Sequence, residues 1–263
     1  MESTDGTVRT SASRIAIVTG VGSGIGGIGR GIALDLLRQG YAVLAADRDA
    51  AVQDVVRDLA RQAGGGADCL GYAGDLSRPD EARAMAEAAL SRWGRIDVLV
   101  NNAGSGVIRP FLEHDEASLV ATLERNLWTA LWCCHAVLPA MVRQNHGRIV
   151  NIGADSLRTG IPGHAGYNAA KGGVVGLMVG LAREFAAYDI TVNTVSPCVV
   201  NTERHRQALR DDSELARAFL QVVPKGRGVE IEEICDFVTF LARRENAFAT
   251  GQDFSLNGGS AMP

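Results

Sequence analysis

The sequence predicts a doubly wound α/β domain: a seven-stranded parallel sheet with helices on both faces. Three observations carry that expectation. Short apolar runs alternate strictly with helical patterns from position 14 to the end. Runs such as IAIVT and VLV are apolar on both faces, as strands of a covered parallel sheet are. A glycine-rich stretch, TGVGSGIGGIG, lies between the first run and the first helix.

The elements follow in order. RIAIVTG (14–20) feeds the glycine turn and a helix near 29–39. AVLAAD (42–47) ends on an acid and precedes a helix near 49–63, and CLGYAGD (69–75) precedes one near 79–93. IDVLVNN (96–102) leads to one long helix near 116–145, and GRIVNIG (147–153) to a helix near 167–187. ITVNTVS (190–196) is followed by a charged, weakly periodic stretch, expected to form a helical substrate flap about 199–229. A helix near 230–243 and the run DFSLNGG (253–259) close the chain. Residues 1–13 read as a mobile polar tail and 14–263 as a single dinucleotide-binding catalytic domain. Any ligand is expected at the carboxyl ends of the strands.

Composition narrows the partners. A net charge of −4 gives no reason to expect nucleic acid, and no apolar run reaches a membrane span, so a cytoplasmic location is expected. The five cysteines (Cys69, Cys133, Cys134, Cys198, Cys235) are scattered without a CxxC pair, which fits reduced thiols and argues against a metal site.

A strand, a glycine turn and a helix amino terminus together make an anion site, because glycine admits the backbone to a pyrophosphate and the helix end supplies free N–H groups. Two registers are open: Gly20-x3-Gly24-x-Gly26, and Gly24-x-Gly26-x2-Gly29. TGVGSGIG, NNAG (101–104), Asn126, YNAAK (167–171) and SPCVVNT (196–202) occur in the order of the short-chain dehydrogenase/reductase family, which the chain resembles over nearly its whole length after the tail. The resemblance implies a Rossmann fold with the turn starting at Gly20. The 27 positions from Gly20 to Asp47 are about three more than the family usually shows, and GIGGIG looks duplicated. A widened loop is therefore expected, with amides of Ser23, Gly24, Ile25, Gly26 and on to Ile28 near the phosphates. Which isoleucine packs beneath the nicotinamide stays open.

The same resemblance assigns the remaining cofactor contacts. Asp47 would accept from the adenosine ribose hydroxyls and repel a 2′-phosphate, which favours NAD over NADP; Arg48 is the alternative phosphate holder. Asp75 and Leu76 would meet the adenine edge, and Asn102, Ala103 and Gly104 the ribose. Pro197, Val200 and Thr202 would lie at the nicotinamide.

Tyr167 and Lys171 lie four apart on one helical face, where an ammonium can stabilise a phenolate. The resemblance implies that Tyr167 takes the alcohol proton, that Lys171 lowers the Tyr167 pKa and holds the ribose, and that Asn126 completes a proton relay. It also implies a serine at position 154, where this chain has Ala154. Ser156, two residues on, is the stand-in, and Asp155 the alternative contact for a hydroxyl. Pro197-Cys198 departs from the family's Pro-Gly, with Cys198 read as a pocket wall.

Segment 109–141, NIGADS and YNAAKGGV are similar to the bacterial cis-dihydrodiol dehydrogenases that act on dihydroxycyclohexadiene carboxylates and dihydroxy-dihydro-p-cumate. The implied reaction takes a small-molecule cis-diol to a catechol. Arg158, His164, Arg204, His205 and Arg206 are the candidate partners of a substrate carboxylate, with Leu157, Ile161, Val199 and Val200 as apolar walls. Alternatives are a ketoreductase or hydroxyacyl thioester dehydrogenase, or a nucleotide-sensing module without turnover. A homotetramer or dimer is implied through the helices at 116–145 and 167–187, and NGGSAMP at the end is expected to reach across such an interface.

Overall fold

The structure, a computed structural model, describes residues 14–22, 27–64 and 66–262. Seven strands form one parallel sheet in the order β3-β2-β1-β4-β5-β6-β7. They are β1 (Ile15–Thr19), β2 (Ala42–Asp47), β3 (Cys69–Ala73), β4 (Val98–Asn101), β5 (Gly147–Ile152), β6 (Ile190–Pro197) and β7 (Asp253–Leu256). The helices are α1 (Ile28–Arg38), α2 (Val52–Gln62), α3 (Pro79–Trp93), α4 (Glu116–Leu123), α5 (Thr129–Gln144), α6 (Ser156–Thr159), α7 (Ala165–Glu184), α8 (Glu203–Arg210), α9 (Glu214–Gln221) and α10 (Ile231–Ala242).

Because side chains alternate along a strand, each central strand feeds two cores at once. Ala16, Val18, Val43, Val98 and Val150 pack against α1, α2 and α10. Ile17, Leu44, Leu99, Ile149 and Val192 pack against α3, α5 and α7. The doubly covered sheet is thus the cause of the runs that are apolar throughout. Strand order reverses between β1 and β4, which opens a crevice at their carboxyl ends.

Most boundaries fall within a few residues of the sequence expectation, and three differences have a local physical basis. The seventh strand stops at Leu256, because Gly258 (φ 58°) and Gly259 (φ 90°) turn the chain away. The fourth begins at Val98, since Asp97 is fully buried and its carboxylate accepts the Ile15 N–H at 2.8 Å. The long helix at 116–145 is α4 and α5 joined by a π-helical turn over Glu124–Trp128. That turn contains Asn126, buried, with its Nδ2 donating to the carbonyls of Ser105 (2.9 Å) and Thr122 (2.8 Å). A π turn inside an α-helix commonly marks a functional position.

Candidate active site

The crevice is built first by backbone. Gly20 has φ 73°, and a side chain there would place its Cβ 2.7 Å from the Cα of Ala103. The two turns touch, and Asn102 holds them: its Nδ2 donates to the carbonyls of Thr19 and Gly20, each at 3.0 Å. The Thr19 hydroxyl oxygen accepts the N–H groups of Asn102 (3.1 Å) and Ala103 (3.0 Å). Thr19 carries no motif signal in the sequence, since a threonine ending a strand is ordinary; only the contact across to the fourth strand shows its role.

Asp47 ends β2 beside this turn. Its carboxylate accepts the N–H of Gly22 at 2.8 Å and of Asp49 at 3.0 Å, so it is anchored and keeps lone pairs for further donors. Arg48 is exposed. Asp75 is exposed and accepts from the Ser77 hydroxyl at 2.7 Å, while the Leu76 side chain is buried in the core. Ser23, Gly24, Ile25 and Gly26 lie outside the described residues. Helix α1 opens at Ile28 after Gly27 (φ 70°), and Gly29 packs against the Gly20 carbonyl, so Gly27-Ile28-Gly29 occupies the helix start. Ile28 lines the same cleft as Tyr167.

A dinucleotide fits these residues. Gly20, Gly22, Gly29 and Gly104 each stand where a Cβ would overlap a neighbour, which leaves backbone as the lining. A fixed carboxylate closes one end at Asp47, and the other end holds an unpartnered buried acceptor, Asn126 Oδ1. Gly104 lies directly against that oxygen, and a Cβ on it would stand 3.5 Å from Lys171 Nζ. The NNAG turn, the π turn and α7 thus converge on one point.

Tyr167 and Lys171 lie one turn apart on α7, with Nζ 5.8 Å from the phenol ring centre. Lys171 is buried and donates to the Ile152 carbonyl at 2.7 Å, which ties α7 to the end of β5. Burial pulls its pKa down to about 8. Burial likewise pushes Tyr167 up to about 12. The phenol is therefore neutral in the protein alone, with burial as the cause.

Tyr167 faces a cleft of about 300 Å³. Ala154 and Ser156 lie on one wall and Pro197 and Cys198 on another. After β5 the chain turns into α6, which brings Ser156 inward as the sequence suggested. Its hydroxyl meets Asn168 Oδ1 at 2.6 Å. Cys198 is partly buried and its thiol pKa is pushed up by burial, which leaves it a neutral wall. The stretch after β6 supplies Val199, Val200, His205, Phe219 and Val222, and it is pinned at its base by a bridge between Val200 and Val229. Thr202 caps α8 by accepting the His205 N–H at 3.1 Å.

Three expectations change. Asp155 does not face the cleft: it is fully buried and accepts from Ser260 (2.7 Å), Ser255 (3.1 Å) and Asn257 (3.2 Å). A buried carboxylate needs such donors, and here they come from the carboxyl-terminal segment. Ser260 of that segment also lines the cleft. Of the five candidate carboxylate partners only His164 and His205 reach it: Arg158 pairs with Asp253 at 2.9 Å, Arg206 with Glu230 at 2.7 Å, and Arg204 is exposed. Of the apolar walls, Ile161, Val199 and Val200 line it, whereas Leu157 packs toward Gly172 of α7.

Among the described residues no cluster of histidine, cysteine and acidic side chains could hold a metal, and no helix is long and apolar enough to cross a membrane.

Comparison with known proteins agrees with this geometry. Residues 24–261 match the family described as Enoyl-(Acyl carrier protein) reductase. The chain is 51% identical over 250 residues to the 2,3-dihydroxy-2,3-dihydro-p-cumate dehydrogenase of Pseudomonas putida, covering 95% of each chain. It is 34% identical to the 1,6-dihydroxycyclohexa-2,4-diene-1-carboxylate dehydrogenase of Acinetobacter baylyi, covering 94% of this chain and 95% of that one. Among solved structures, NAD+-bound xylitol dehydrogenase superposes with a TM-score of 0.85 at 27% identity, covering 95% of this chain and all (100%) of the other. Levodione reductase superposes at 0.86 with 28% identity, covering 94% and 96%. With the glycine crevice, the Tyr167–Lys171 pair and the parallel sheet already in place, these matches make the chain an enzyme of the short-chain dehydrogenase/reductase family, an oxidoreductase that uses a nicotinamide cofactor.

Proposed function

We propose that the enzyme oxidises the cis-dihydrodiol of a carboxylated cyclohexadiene ring to the catechol, with NAD as acceptor. The observation that carries this reading is the cleft itself. Apolar Ile161, Val199, Val200 and Phe219 offer a ring-sized slot, Tyr167 and Ser156 offer polar groups in the same slot, and two histidines border it. The relatives named for a p-cumate dihydrodiol and for a dihydroxycyclohexadiene carboxylate support it.

The chain's part in the reaction follows from its residues. A nicotinamide bound in the crevice supplies the hydride acceptor. Tyr167 takes the hydroxyl proton of the carbon that loses hydride. Lys171 is the ammonium on the same helix face that favours the phenolate, and it is the group that would hold the nicotinamide ribose. Asn126, with its free Oδ1 beside Gly104, lies on the route by which the proton leaves. The ketone so formed shifts its ring proton to oxygen, and aromatisation draws the oxidation forward. Asp47 is the basis for NAD: a second negative charge on the adenosine ribose would sit against an anchored carboxylate.

The stretch about 199–229 acts as a helical flap that admits the substrate and then covers it. The reading includes a homotetramer or dimer through α4, the π turn, α5 and α7, where Val120, Trp128 and Val179 stay exposed, and a cytoplasmic enzyme with free thiols.

The test is the appearance of reduced nicotinamide with NAD or NADP and a panel of cis-dihydrodiols with and without a ring carboxylate. Simple cyclic alcohols, and keto-thioesters with reduced cofactor, complete it. Rapid NAD reduction confined to carboxylated dihydrodiols is expected. NADPH-dependent reduction of a keto-thioester in its place would overturn the substrate and the cofactor preference together.

A further inference from the structure

We infer that Asn168 fixes Ser156 as a hydrogen-bond acceptor, so that the cleft reads the second, non-reacting hydroxyl of a vicinal diol. The inference deepens the proposed function and rests on it for the identity of the ring. The argument is a matter of protons. Asn168 Nδ2 lies 3.0 Å from the backbone carbonyl of Ser156, and a carbonyl oxygen can only accept. The amide NH2 must therefore face that carbonyl, and Oδ1 must face the Ser156 hydroxyl, 2.6 Å away. Oδ1 cannot donate, so the hydroxyl proton is committed to it. What Ser156 has left for the cleft is lone pairs.

A serine held in this state does not donate to the reacting oxygen, which leaves that oxygen to Tyr167. It accepts an O–H instead. A vicinal diol brings two hydroxyls on adjacent carbons: one gives its proton to Tyr167, and the other donates to Ser156 Oγ. A mono-alcohol has nothing to offer that oxygen. Turning the Ser156 hydroxyl around to serve as a donor would strand Asn168 Oδ1, so the reciprocal pair opposes it. Ala154, which lines the same wall with a methyl group, contributes no competing hydroxyl. Asn168 is in this view a positioning residue, and Ser156 the residue that determines preference.

Two measurements on the full chain test this. Binding of catechol and of phenol to the enzyme saturated with NADH, followed by calorimetry, should show catechol preferred by about tenfold in the parent. Ser156→Ala should erase the preference by weakening catechol alone. Asn168→Ala, which frees the hydroxyl to donate as well as accept, should narrow it by strengthening phenol while catechol binding is held. In turnover, kcat/KM for a cis-dihydrodiol should fall by about tenfold more than that for the matching mono-alcohol in Ser156→Ala, and the ratio of the two should narrow in Asn168→Ala. Equal losses on both ligands, or no catechol preference in the parent, would overturn the inference. Should Asn168→Ala fail to fold, Ser156→Ala alone decides. A catechol preference that depends on Ser156, found in an enzyme that oxidises no dihydrodiol, would leave the inference standing and remove the proposed reaction.

Discussion

The buried ammonium of Lys171 donates to the carbonyl of Ile152 at 2.7 Å, joining the helix that carries Tyr167 to the last residue of β5. The chain of cause runs from a four-residue spacing to a charge held out of water. Removing an ammonium from water disfavours its charged form, which is why its pKa falls to about 8.

That shift predicts how stability depends on pH. The unfolded chain binds the lysine proton up to the ordinary value near 10.5, whereas the folded chain releases it near 8. Between those values the unfolded state holds more protons, so this residue's contribution to stability rises with pH. The folded protein carries the full cost below about 8 and is relieved of it above 10.5, a difference of roughly 3 kcal/mol at most. Denaturant unfolding of the parent and Lys171→Met at pH 7 to 10 should show the parent gaining on the variant as pH rises. Parallel curves would remove the buried charge as the cause.

Gly104 is the second test of the convergence point. A methyl group there overlaps the Oδ1 of Asn126, whose Nδ2 is tied on the other side by donating to the carbonyls of Ser105 and Thr122. Gly104→Ala should therefore destabilise the fold by about 1–3 kcal/mol through overpacking. It should also lower kcat by at least tenfold by displacing Asn126. Unfolding and steady-state rates measured on one preparation separate the two effects, and an unchanged kcat would exclude Asn126 from the route of the proton.

Asp47 carries the cofactor preference in a form that substitution can reverse. Both carboxylate oxygens are fixed by backbone N–H groups, from Gly22 and Asp49, so the charge cannot swing aside for a phosphate. Asp47→Ser should lower kcat/KM with NAD and raise it with NADP, each by about tenfold or more, with exposed Arg48 free to meet the 2′-phosphate. Equal rates with the two cofactors in the parent would show that Asp47 does not discriminate.

Much of this was legible in the sequence because it follows from local rules. Both-face apolar runs gave the sheet, since IAIVT and VLV have two cores to fill. Glycines at 20 and 104 and the Tyr167–Lys171 spacing marked the crevice, since backbone approach and helix geometry dictate them. What could not be read depends on contacts distant in the chain. Asp155 looked like a hydroxyl contact, yet residues about a hundred positions later bury and saturate it. Arg158 looked like a carboxylate partner until Asp253 on the edge strand claimed it. The π turn at Asn126 was invisible because the apolar pattern over 116–145 is compatible with an uninterrupted helix. Asn168 sits inside a recognisable motif, but its meaning needs the Ser156 carbonyl 3.0 Å away.

His205 offers the test of the carboxylate. It stands on the first turn of α8 and lines the cleft; its Nε2 is buried with no hydrogen-bond partner, and burial lowers its pKa from the ordinary 6.5. No lysine or arginine is among the described residues lining the cleft, so a ring carboxylate would find its cation here or at His164, whose Nδ1 is already engaged with the Pro162 carbonyl at 3.0 Å. The other titratable groups facing that space are Tyr167 and Cys198, both raised by burial and neutral near pH 7, while Arg206 on the same helix is paired with Glu230. A bound carboxylate favours the imidazolium, so binding takes up a proton and tightens as pH falls from 8 toward 6. KM for a carboxylated dihydrodiol should fall over that range, and KM for the matching amide should stay flat. His205→Leu should raise KM for the carboxylate by about tenfold, abolish its pH dependence and leave kcat within about twofold, since the histidine holds a group remote from the reacting carbon. If the variant keeps the carboxylate preference, the anion is held elsewhere in the cleft, and His164→Leu becomes the substitution that must remove it.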